Sequence, residues 1–242
     1  MDYIYRENFK LAGNALDCFN RLKPSALLDL MQQVATNQCD ELALDWQTMA
    51  NKGLLWAVTR THVQLLRQPV PSSTITVETW PGKASRVAYP RSTVGYDDQG
   101  NELFRGISLW VLMDLHTRKL VLPGKSGLEL PGIERGGELA VPGSLAPVKL
   151  EGQAQRTVRY SELDRNGHMS NTRYLDWMED LLPSAFHREH PLMDFTVTYL
   201  SEAREGQTVD MSYALGPDGV LRLEATHADT GHRVFAVEAL YG

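Results

Sequence analysis

The sequence predicts an α+β protein made of two copies of one unit, each a long helix followed by an antiparallel sheet. Apolar residues recur at helical spacing in two stretches, and each stretch is followed by segments whose apolar and polar residues alternate as in strands. The two copies also align with each other. Residues 10–31 match residues 157–178 without a gap at an offset of 147, so that Asp17 corresponds to Asp164. Repetition over this length indicates a duplicated domain.

The first copy begins with a strand within residues 1–15 and continues with a long helix that Pro24 opens. One apolar stripe along this helix contains Leu27, Leu28, Met31, Val34 and Ala35. A short second helix is expected over residues 45–53. Strands then follow within residues 54–65, 74–80, 91–96 and 103–113, the last two joined by a hairpin loop at 97–101.

The second copy repeats the helix after a long gap. Its apolar stripe extends from Tyr174 to Leu182, with Ser170 or Asn171 as the expected cap and Pro183 at the end. Later positions match those of the first copy at offsets of 134 and 131, as expected if the strands also repeat.

Residues 122–147 separate the copies and contain many prolines and glycines without sustained periodicity, which is typical of a linker. We therefore expect an N-terminal domain over residues 1–125, a linker over 126–149 and a C-terminal domain over 150–242.

Composition excludes several classes of protein. With 242 residues and 43% hydrophobic content, the chain can bury a substantial core. Its formal net charge of −6 argues against nucleic-acid binding, because phosphate neutralisation requires a basic face and the basic residues here are scattered. No stretch approaches the ~18 consecutive apolar residues that a membrane span requires.

The cysteines and the N-terminus indicate the compartment. Cys18 and Cys39 form neither a disulfide framework nor a CxxC metal site, and the spacing of the histidines indicates no metal site either. The first residues lack the apolar segment of a signal peptide and contain acids that a transit peptide avoids. We therefore expect a cytoplasmic protein with no metal.

The stretch over residues 160–171, directly before the second helix, contains the strongest chemical pattern. Asp164, Asn166 and His168 stand at every second position, so an extended backbone would place their side chains on one face. A carboxylate, an amide and an imidazole would then lie at a helix start, where free N–H groups favour a developing negative charge. This combination indicates acid–base catalysis.

The two copies differ where this chemistry lies. The polar residues Asn166, His168 and Glu202 of the second copy correspond to Phe19, Arg21 and Gln68 of the first. A duplicated fold with one active site would leave such a difference.

These residues resemble the acyl-acyl-carrier-protein (acyl-ACP) thioesterases of plant plastids and bacteria over nearly the whole chain. In the first copy the resemblance lies in residues 28–34, 54–60, 77–80 and 108–113, and in the second in 163–171, 174, 177 and 199–202. The Asp-x-Asn-x-His-x-x-Asn pattern and the Leu-Trp-x-Val-Thr-Arg run are its most specific parts. The resemblance implies a tandem hot-dog fold, with two antiparallel sheets each wrapped around a central long helix, and hydrolysis of acyl thioesters without a cofactor.

The resemblance implies a catalytic set of Asp164, Asn166, His168 and, on the following strand, Glu202. Glu202 is the first candidate for the base that activates water. His168 would orient Glu202 or polarise the thioester carbonyl, and Asp164 would fix the His168 tautomer or be the base itself. The family often has a cysteine at the next position, where this chain has Ala203. An obligatory cysteine nucleophile there is excluded, and a route through water remains.

Each of these residues also has a structural interpretation. Glu202 can be a solvated turn residue, His168 a hydrogen-bond partner near the helix start, and Asn166 a turn former. The structural interpretation is strongest for Asp164, because Asp17 is retained in the copy that lacks the other polar residues.

Substrate binding is expected in both copies. Five residues of the first copy are candidates to line the acyl tunnel that the resemblance implies, although each is also an ordinary core residue: Met31, Met49, Trp56, Trp80 and Trp110. In the second copy Asn171 is a candidate substrate-binding residue and also a candidate helix cap. Scattered basic residues are candidates to contact an acidic carrier protein, but each is also an ordinary solvated residue and none is singled out: Lys23, Arg60, Arg67, Arg86 and Arg91.

The function that the resemblance implies is hydrolysis of fatty acyl-ACP to free fatty acid and holo-ACP, which ends fatty acid elongation. The partner would be the acyl carrier protein, and the enzyme a monomer or homodimer. Two alternatives remain open. One is an acyl-CoA thioesterase on the same fold, and the other is a non-catalytic module that binds acyl thioesters.

Overall fold

The computed structural model describes residues 3–143, 145 and 150–242. The chain divides into two compact units. The first contains the residues up to Lys23 and Leu27–Val141, and the second contains Pro24–Ala26 and Pro142–Gly242. No helix in the described ranges is both long enough and apolar enough to cross a membrane.

The first half of the chain forms one antiparallel sheet and three helices. Its strands are β1 (Tyr5–Lys10), β2 (Leu54–Leu65), β3 (Thr74–Pro81), β4 (Tyr89–Tyr96), β5 (Glu102–Asp114) and the short β6 (Leu120–Val121). Its helices are α1 (Pro24–Glu41), α2 (Trp46–Asn51) and α3 (Pro123–Ser126). The five longer strands pair in the order β1-β3-β4-β5-β2, and β6 pairs with β5. The predicted long helix and antiparallel meander are therefore present.

The apolar stripe of helix α1 is buried, and its residue Met31 lies on the sheet. Pro24 lies in the first turn, where a missing backbone N–H costs no helical hydrogen bond. Leu27 and Val34 are completely buried. Gly106 on β5 lies beneath Met31, because a Cβ atom at Gly106 would be 2.5 Å from Met31 Cε. The absence of a side chain at Gly106 therefore lets the helix approach the sheet closely.

The predicted linker is partly ordered against strand β3. It overlaps the end of α3, and further on Ile133 N–H donates to Pro81 O at 3.0 Å. The guanidinium of Arg135 lies 2.6 Å from the carboxylate of Glu78 and stacks 4.8 Å from the ring centroid of Trp80. Arg6 on β1 also binds Glu78, whose side chain is 3% exposed. Residues 144 and 146–149 of the predicted linker lie outside the described residues.

The second unit contains a sheet of the same design. Its strands are β7 (Gly152–Thr157), β8 (Leu192–Tyr199), β9 (Thr208–Leu215), β10 (Val220–His227) and β11 (Arg233–Tyr241), and its helices are α4 (Arg173–Glu179) and α5 (Ser184–Glu189). The strands pair in the order β7-β9-β10-β11-β8, all antiparallel. Counted along the chain, both sheets thus have the strand order first, third, fourth, fifth, second. The predicted duplication of a helix-and-sheet unit is confirmed.

The helix of the second unit is shorter than predicted. Helix α4 ends at Glu179, and the next residues form tighter turns in which the N–H groups of Leu181 and Leu182 donate three residues back. Pro183 then disfavours helical geometry in the residue before it. Tyr174 on α4 packs on the sheet, and its ring centroid lies 4.5 Å from the ring centroid of Phe235 on β11.

Candidate active site

The residues around Asp164 form a tight turn directly after a short 3-10 helix (Tyr160–Glu162). Asp164 Oδ1 accepts hydrogen bonds from the N–H groups of Asn166 at 2.8 Å and His168 at 3.2 Å. Asp164 N–H donates in return to His168 O at 2.7 Å. The extended backbone that would place the three side chains on one face is not formed, because the Asp164 carboxylate organises an Asx-type turn.

Glu202 lies in the loop that follows β8. We predicted it on a strand, but β8 ends at Tyr199. The N–H groups of Leu200 and Ser201 both donate to Val234 O, at 2.8 and 3.1 Å, which closes the strand pairing and releases the chain into the loop. Glu202 therefore lies where the chain leaves the sheet, and its side chain is 43% exposed.

The turn and the loop meet, and their contact brings His168 to Glu202, the first candidate for the base. His168 Nε2 lies 3.2 Å from Glu202 Oε2, with the imidazole 17% exposed. The main chains are joined beside this contact, since Met169 N–H donates to Ala203 O at 2.8 Å. A half-buried imidazole and a solvent-facing carboxylate at hydrogen-bond distance can exchange a proton with water.

The side chains of Asn166 and Asp164 contact each other within the turn. The Asn166 side chain is exposed, and its amide Nδ2 donates to Asp164 Oδ2 at 3.2 Å. Asp164 thus binds the main chain and the amide of its own turn. These observed contacts of the Asp164 carboxylate shape the turn.

The expected helix cap is not formed by Ser170 or Asn171. Helix α4 begins at Arg173, its N-cap is Thr172, and no side chain caps it. Instead Ser170 Oγ lies 3.1 Å from Thr172 Oγ1. The main-chain oxygen of Asn171 accepts from Tyr199 OH at 3.1 Å, which fixes the backbone between the turn and the helix.

The first unit contains the same turn without the acid–base pair. Asp17 Oδ1 accepts from the N–H groups of Phe19 and Arg21, both at 2.8 Å. Gln68, the counterpart of Glu202, uses its side-chain oxygen to accept from Leu22 N–H at 2.9 Å. The shared scaffold is therefore retained in both copies, as the sequence comparison predicted for Asp17.

The predicted acyl-binding residues of the first unit lie in different places. Met31 and Trp110 line one pocket, whereas Met49 belongs to a separate core cluster. Met31 lines a narrow pocket between α1 and the sheet, in which about 10 Å³ is available to the centre of a water molecule. Trp56 instead packs edge-on against Tyr89 at 5.1 Å, and Trp80 is buried under Arg135. The pocket walls are mixed, with Leu28, Val58 and Trp110 beside Thr61, Arg91 and Ser108.

Arg91, one of the five basic residues considered for carrier contact, lies in the pocket wall. It is 8% exposed, and its guanidinium donates to Gln38 Oε1 and, at 3.3 Å, to Thr79 Oγ1. Burial lowers the pKa of Arg91 from its ordinary value, because the charged form loses hydration. It is therefore not a surface contact for a carrier protein. The alternation of Tyr89, Arg91 and Thr93 along β4 was the available indication that it points inward.

Comparison with solved structures identifies the class of fold. Over 100% of its length the chain is similar to an acyl-ACP thioesterase from Bacteroides thetaiotaomicron, with a TM-score of 0.91, 21% identity and 98% of that chain covered. It is also similar to the 12:0-ACP thioesterase from Umbellularia californica, with a TM-score of 0.83, 21% identity and 98% of that chain covered. The predicted tandem hot-dog fold is thereby confirmed.

The family follows from the sequence. Residues 2–122 match the acyl-ACP thioesterase N-terminal domain, and residues 146–239 match the acyl-ACP thioesterase C-terminal domain. The chain therefore belongs to the acyl-ACP thioesterase family.

Similar curated proteins are plant enzymes of greater length. The chain is 24% identical over 233 residues to the chloroplastic oleoyl-acyl carrier protein thioesterase 2 of Arabidopsis thaliana, covering 86% of this chain and 62% of that protein. It is 25% identical over 242 residues to the chloroplastic palmitoyl-acyl carrier protein thioesterase of Gossypium hirsutum, covering 94% of this chain and 56% of that protein. The chain thus spans about three-fifths of the length of these relatives.

Proposed function

We propose that this protein hydrolyses fatty acyl-ACP thioesters to free fatty acid and holo-ACP. The observation that carries the proposal is the 3.2 Å contact between His168 Nε2 and Glu202 Oε2 in a chain of the acyl-ACP thioesterase family. The plant relatives act on acyl groups carried by the acyl carrier protein, as their names state, and the same carrier is proposed here.

In the proposed reaction Glu202 and His168 together remove a proton from a water molecule. The water oxygen bonds to the thioester carbonyl carbon, the carbon–sulfur bond breaks, and the proton passes to the leaving sulfur. An imidazole next to a carboxylate suits both transfers, because it can accept the proton and then return it. Ala203, at 0% exposure, supplies no nucleophile beside Glu202, which favours attack by water.

The other members of the predicted catalytic set have supporting roles in this proposal. Asp164 holds the turn that presents His168, through its hydrogen bonds to that residue's main chain. Asn166, whose amide is exposed beside the turn, binds water or the substrate carbonyl. Asn171 and its hydrogen bond from Tyr199 fix the chain between this turn and α4.

We further propose a division of labour between residues 1–125 and 150–242, with residues 126–149 as linker. The N-terminal domain would bind the acyl chain and the C-terminal domain would carry the catalysis. The pocket at Met31 supports this division, because it is partly apolar and lies between a helix and a sheet. It has space for about one water molecule, so acyl binding requires the flexible Met31 side chain to move.

The test is thiol release from purified protein on a series of saturated acyl-ACPs, from about six to about eighteen carbons, beside the matching acyl-CoAs. Faster turnover of the carrier-bound series, abolished by Glu202→Gln, is the expected result. Glu205→Gln is the matched control, since Glu205 is an exposed glutamate of the same loop. Equal kcat/KM on CoA substrates would contradict the proposed carrier. Tight binding of acyl-ACP without thiol release would contradict hydrolysis itself.

A further inference from the structure

His227 lies behind Glu202 and contacts its main chain. It is the last residue of β10 and is 8% exposed. Its Nε2 lies 3.1 Å from Glu202 O. A carbonyl oxygen only accepts hydrogen bonds, so Nε2 must carry the proton and donate it.

The other ring nitrogen of His227 is poorly accommodated. Nδ1 is buried, and among the residues that the structure describes it has no hydrogen-bond partner. A buried polar atom without a partner lowers stability. An apolar ring of the same size would avoid that loss. Such a ring would also lose the hydrogen bond to Glu202 O, so the two effects oppose each other and stability alone does not explain why an imidazole occupies this position.

The hydrogen bond from His227 fixes the peptide group on the C-terminal side of Glu202. The next carbonyl, Ala203 O, accepts from Met169 N–H at 2.8 Å. The two peptide groups that follow the Glu202 Cα atom are thus held by β10 and by the turn of His168. With the backbone fixed in this way, the Glu202 side chain has a defined direction toward His168 Nε2, 3.2 Å away.

The first unit lacks this histidine together with the acid–base pair. Its fourth strand, β4, has the same length as β10 and ends at Tyr96, which is the counterpart of His227 at the offset of 131. The same unit has Gln68 in place of Glu202 and Arg21 in place of His168. The imidazole at the end of the fourth strand thus occurs only in the copy that carries the pair.

We propose that His227 is a positioning residue that holds the main chain of Glu202 and thereby aims its carboxylate at His168. The proposal rests on the proposed hydrolytic function of that pair. His227 touches neither water nor substrate in the reaction, and acts through the Glu202 carbonyl alone.

The test compares His227→Phe, which keeps a ring but removes the donor, with His227→Gln, whose amide N–H can take the place of Nε2–H. We expect His227→Phe to lower kcat about 10- to 100-fold, the range expected for a slight misplacement of a reacting group, with KM changed less than about twofold. We expect His227→Gln to restore kcat to within about threefold of the parent. Thermal unfolding should show no loss of stability in His227→Phe.

A double-mutant cycle connects the effect to Glu202. In the Glu202→Gln background, His227→Phe should produce no further loss of kcat, because both changes remove the same group from the reaction. Equal impairment of the Phe and Gln variants, or a further loss of the same size in the Glu202→Gln background, would overturn the proposal. So would a parental kcat in His227→Phe.

The hydrogen bond from His227 can also be tested in the parent protein, without an activity assay and without a variant. Nitrogen-15 NMR of the imidazoles in the parent protein should show His227 as the neutral tautomer with its proton on Nε2, and the Nδ1–H tautomer would overturn the proposal. Failure of the parent protein to hydrolyse any acyl thioester would instead contradict the proposed function. Turnover that requires Glu202 but not His227 would contradict only the positioning role.

Discussion

His168 Nε2 and Glu202 Oε2 lie 3.2 Å apart, although two helices and strand β8 separate the residues in the chain. Their backbones are joined one residue further on by the hydrogen bond from Met169 N–H to Ala203 O. The side-chain contact is therefore held by main-chain structure, and its disruption can be examined without unfolding the protein.

Glu202→Gln removes the carboxylate and keeps the shape of the side chain. We expect kcat to fall at least about 100-fold, because general acid–base groups contribute that much or more. The carboxylate is 43% exposed, and even a charged pair with this exposure contributes at most about 1 kcal/mol, so the melting temperature should change by less than about 4 °C. Steady-state kinetics and thermal unfolding measure the two effects. Loss of the fold in this variant would indicate a structural role for Glu202.

Asp164→Ala should affect stability and turnover together, whereas Asp17→Ala should affect stability alone. Each carboxylate accepts two backbone N–H bonds in equivalent turns, so we expect each variant to lose about 1 kcal/mol of unfolding free energy. Only the turn at Asp164 presents His168, and its loss should lower kcat about tenfold. Urea unfolding and thiol release measure these effects. Equal kcat values in the two variants would contradict a role for Asp164 in the site.

Gly106→Ala and Met31→Ala should change acyl-chain preference in opposite directions. A Cβ at Gly106 would lie 2.5 Å from Met31 Cε and would push this flexible side chain into the pocket, which favours shorter acyl chains. Met31→Ala would enlarge the pocket and favour longer ones. The rate profile over the series of acyl-ACPs measures the change.

Met49→Ala is the matched control for the pocket. Met49 is equally buried in the same unit but packs with Leu54, Tyr89 and Leu112, away from Met31. We expect it to lose about 2–5 kcal/mol of stability, as core methionines do, with no change in chain-length preference. A parental profile in both Gly106→Ala and Met31→Ala would show that the acyl chain binds elsewhere.

Glu78→Gln should reveal how much stability depends on the ordered part of the linker. Burial alone would raise the pKa of Glu78, but hydrogen bonds from Arg135 and Arg6 outweigh it and lower the pKa. A lowered pKa means that the carboxylate stabilises the fold above about pH 4.3, its ordinary value. That contribution disappears as the pH falls through the lowered pKa.

We therefore expect Glu78→Gln to cost roughly 1.5–3 kcal/mol at pH 7, with a difference from the parent that shrinks below about pH 4. Urea unfolding over this pH range measures it. Glu102→Gln is the control, because its pair with Arg105 is partly exposed on both sides and should contribute less than about 1 kcal/mol. If the difference in unfolding free energy between Glu78→Gln and the parent did not change with pH, the lowered pKa of Glu78 would be contradicted.

Much of the fold was predictable because local periodicity and turn chemistry agree with it. Pro24 opens α1, the α1 stripe is buried, and the alternation after Leu54 corresponds to β2 through β5. The second helix was predicted too long, since the apolar positions Leu181 and Leu182 continue the pattern after the backbone has tightened before Pro183.

The sequence by itself determined the duplication, the family and the set of polar residues that one copy has and the other lacks. Only the tertiary structure decided the contacts: His168 meets Glu202, Asp164 binds its own turn, and His227, which the sequence did not single out, binds the Glu202 main chain. The physical reason is that local patterns record the backbone preferences of neighbouring residues. Contacts between a turn, a loop and a strand end depend on strand pairing, which joins residues far apart in the chain.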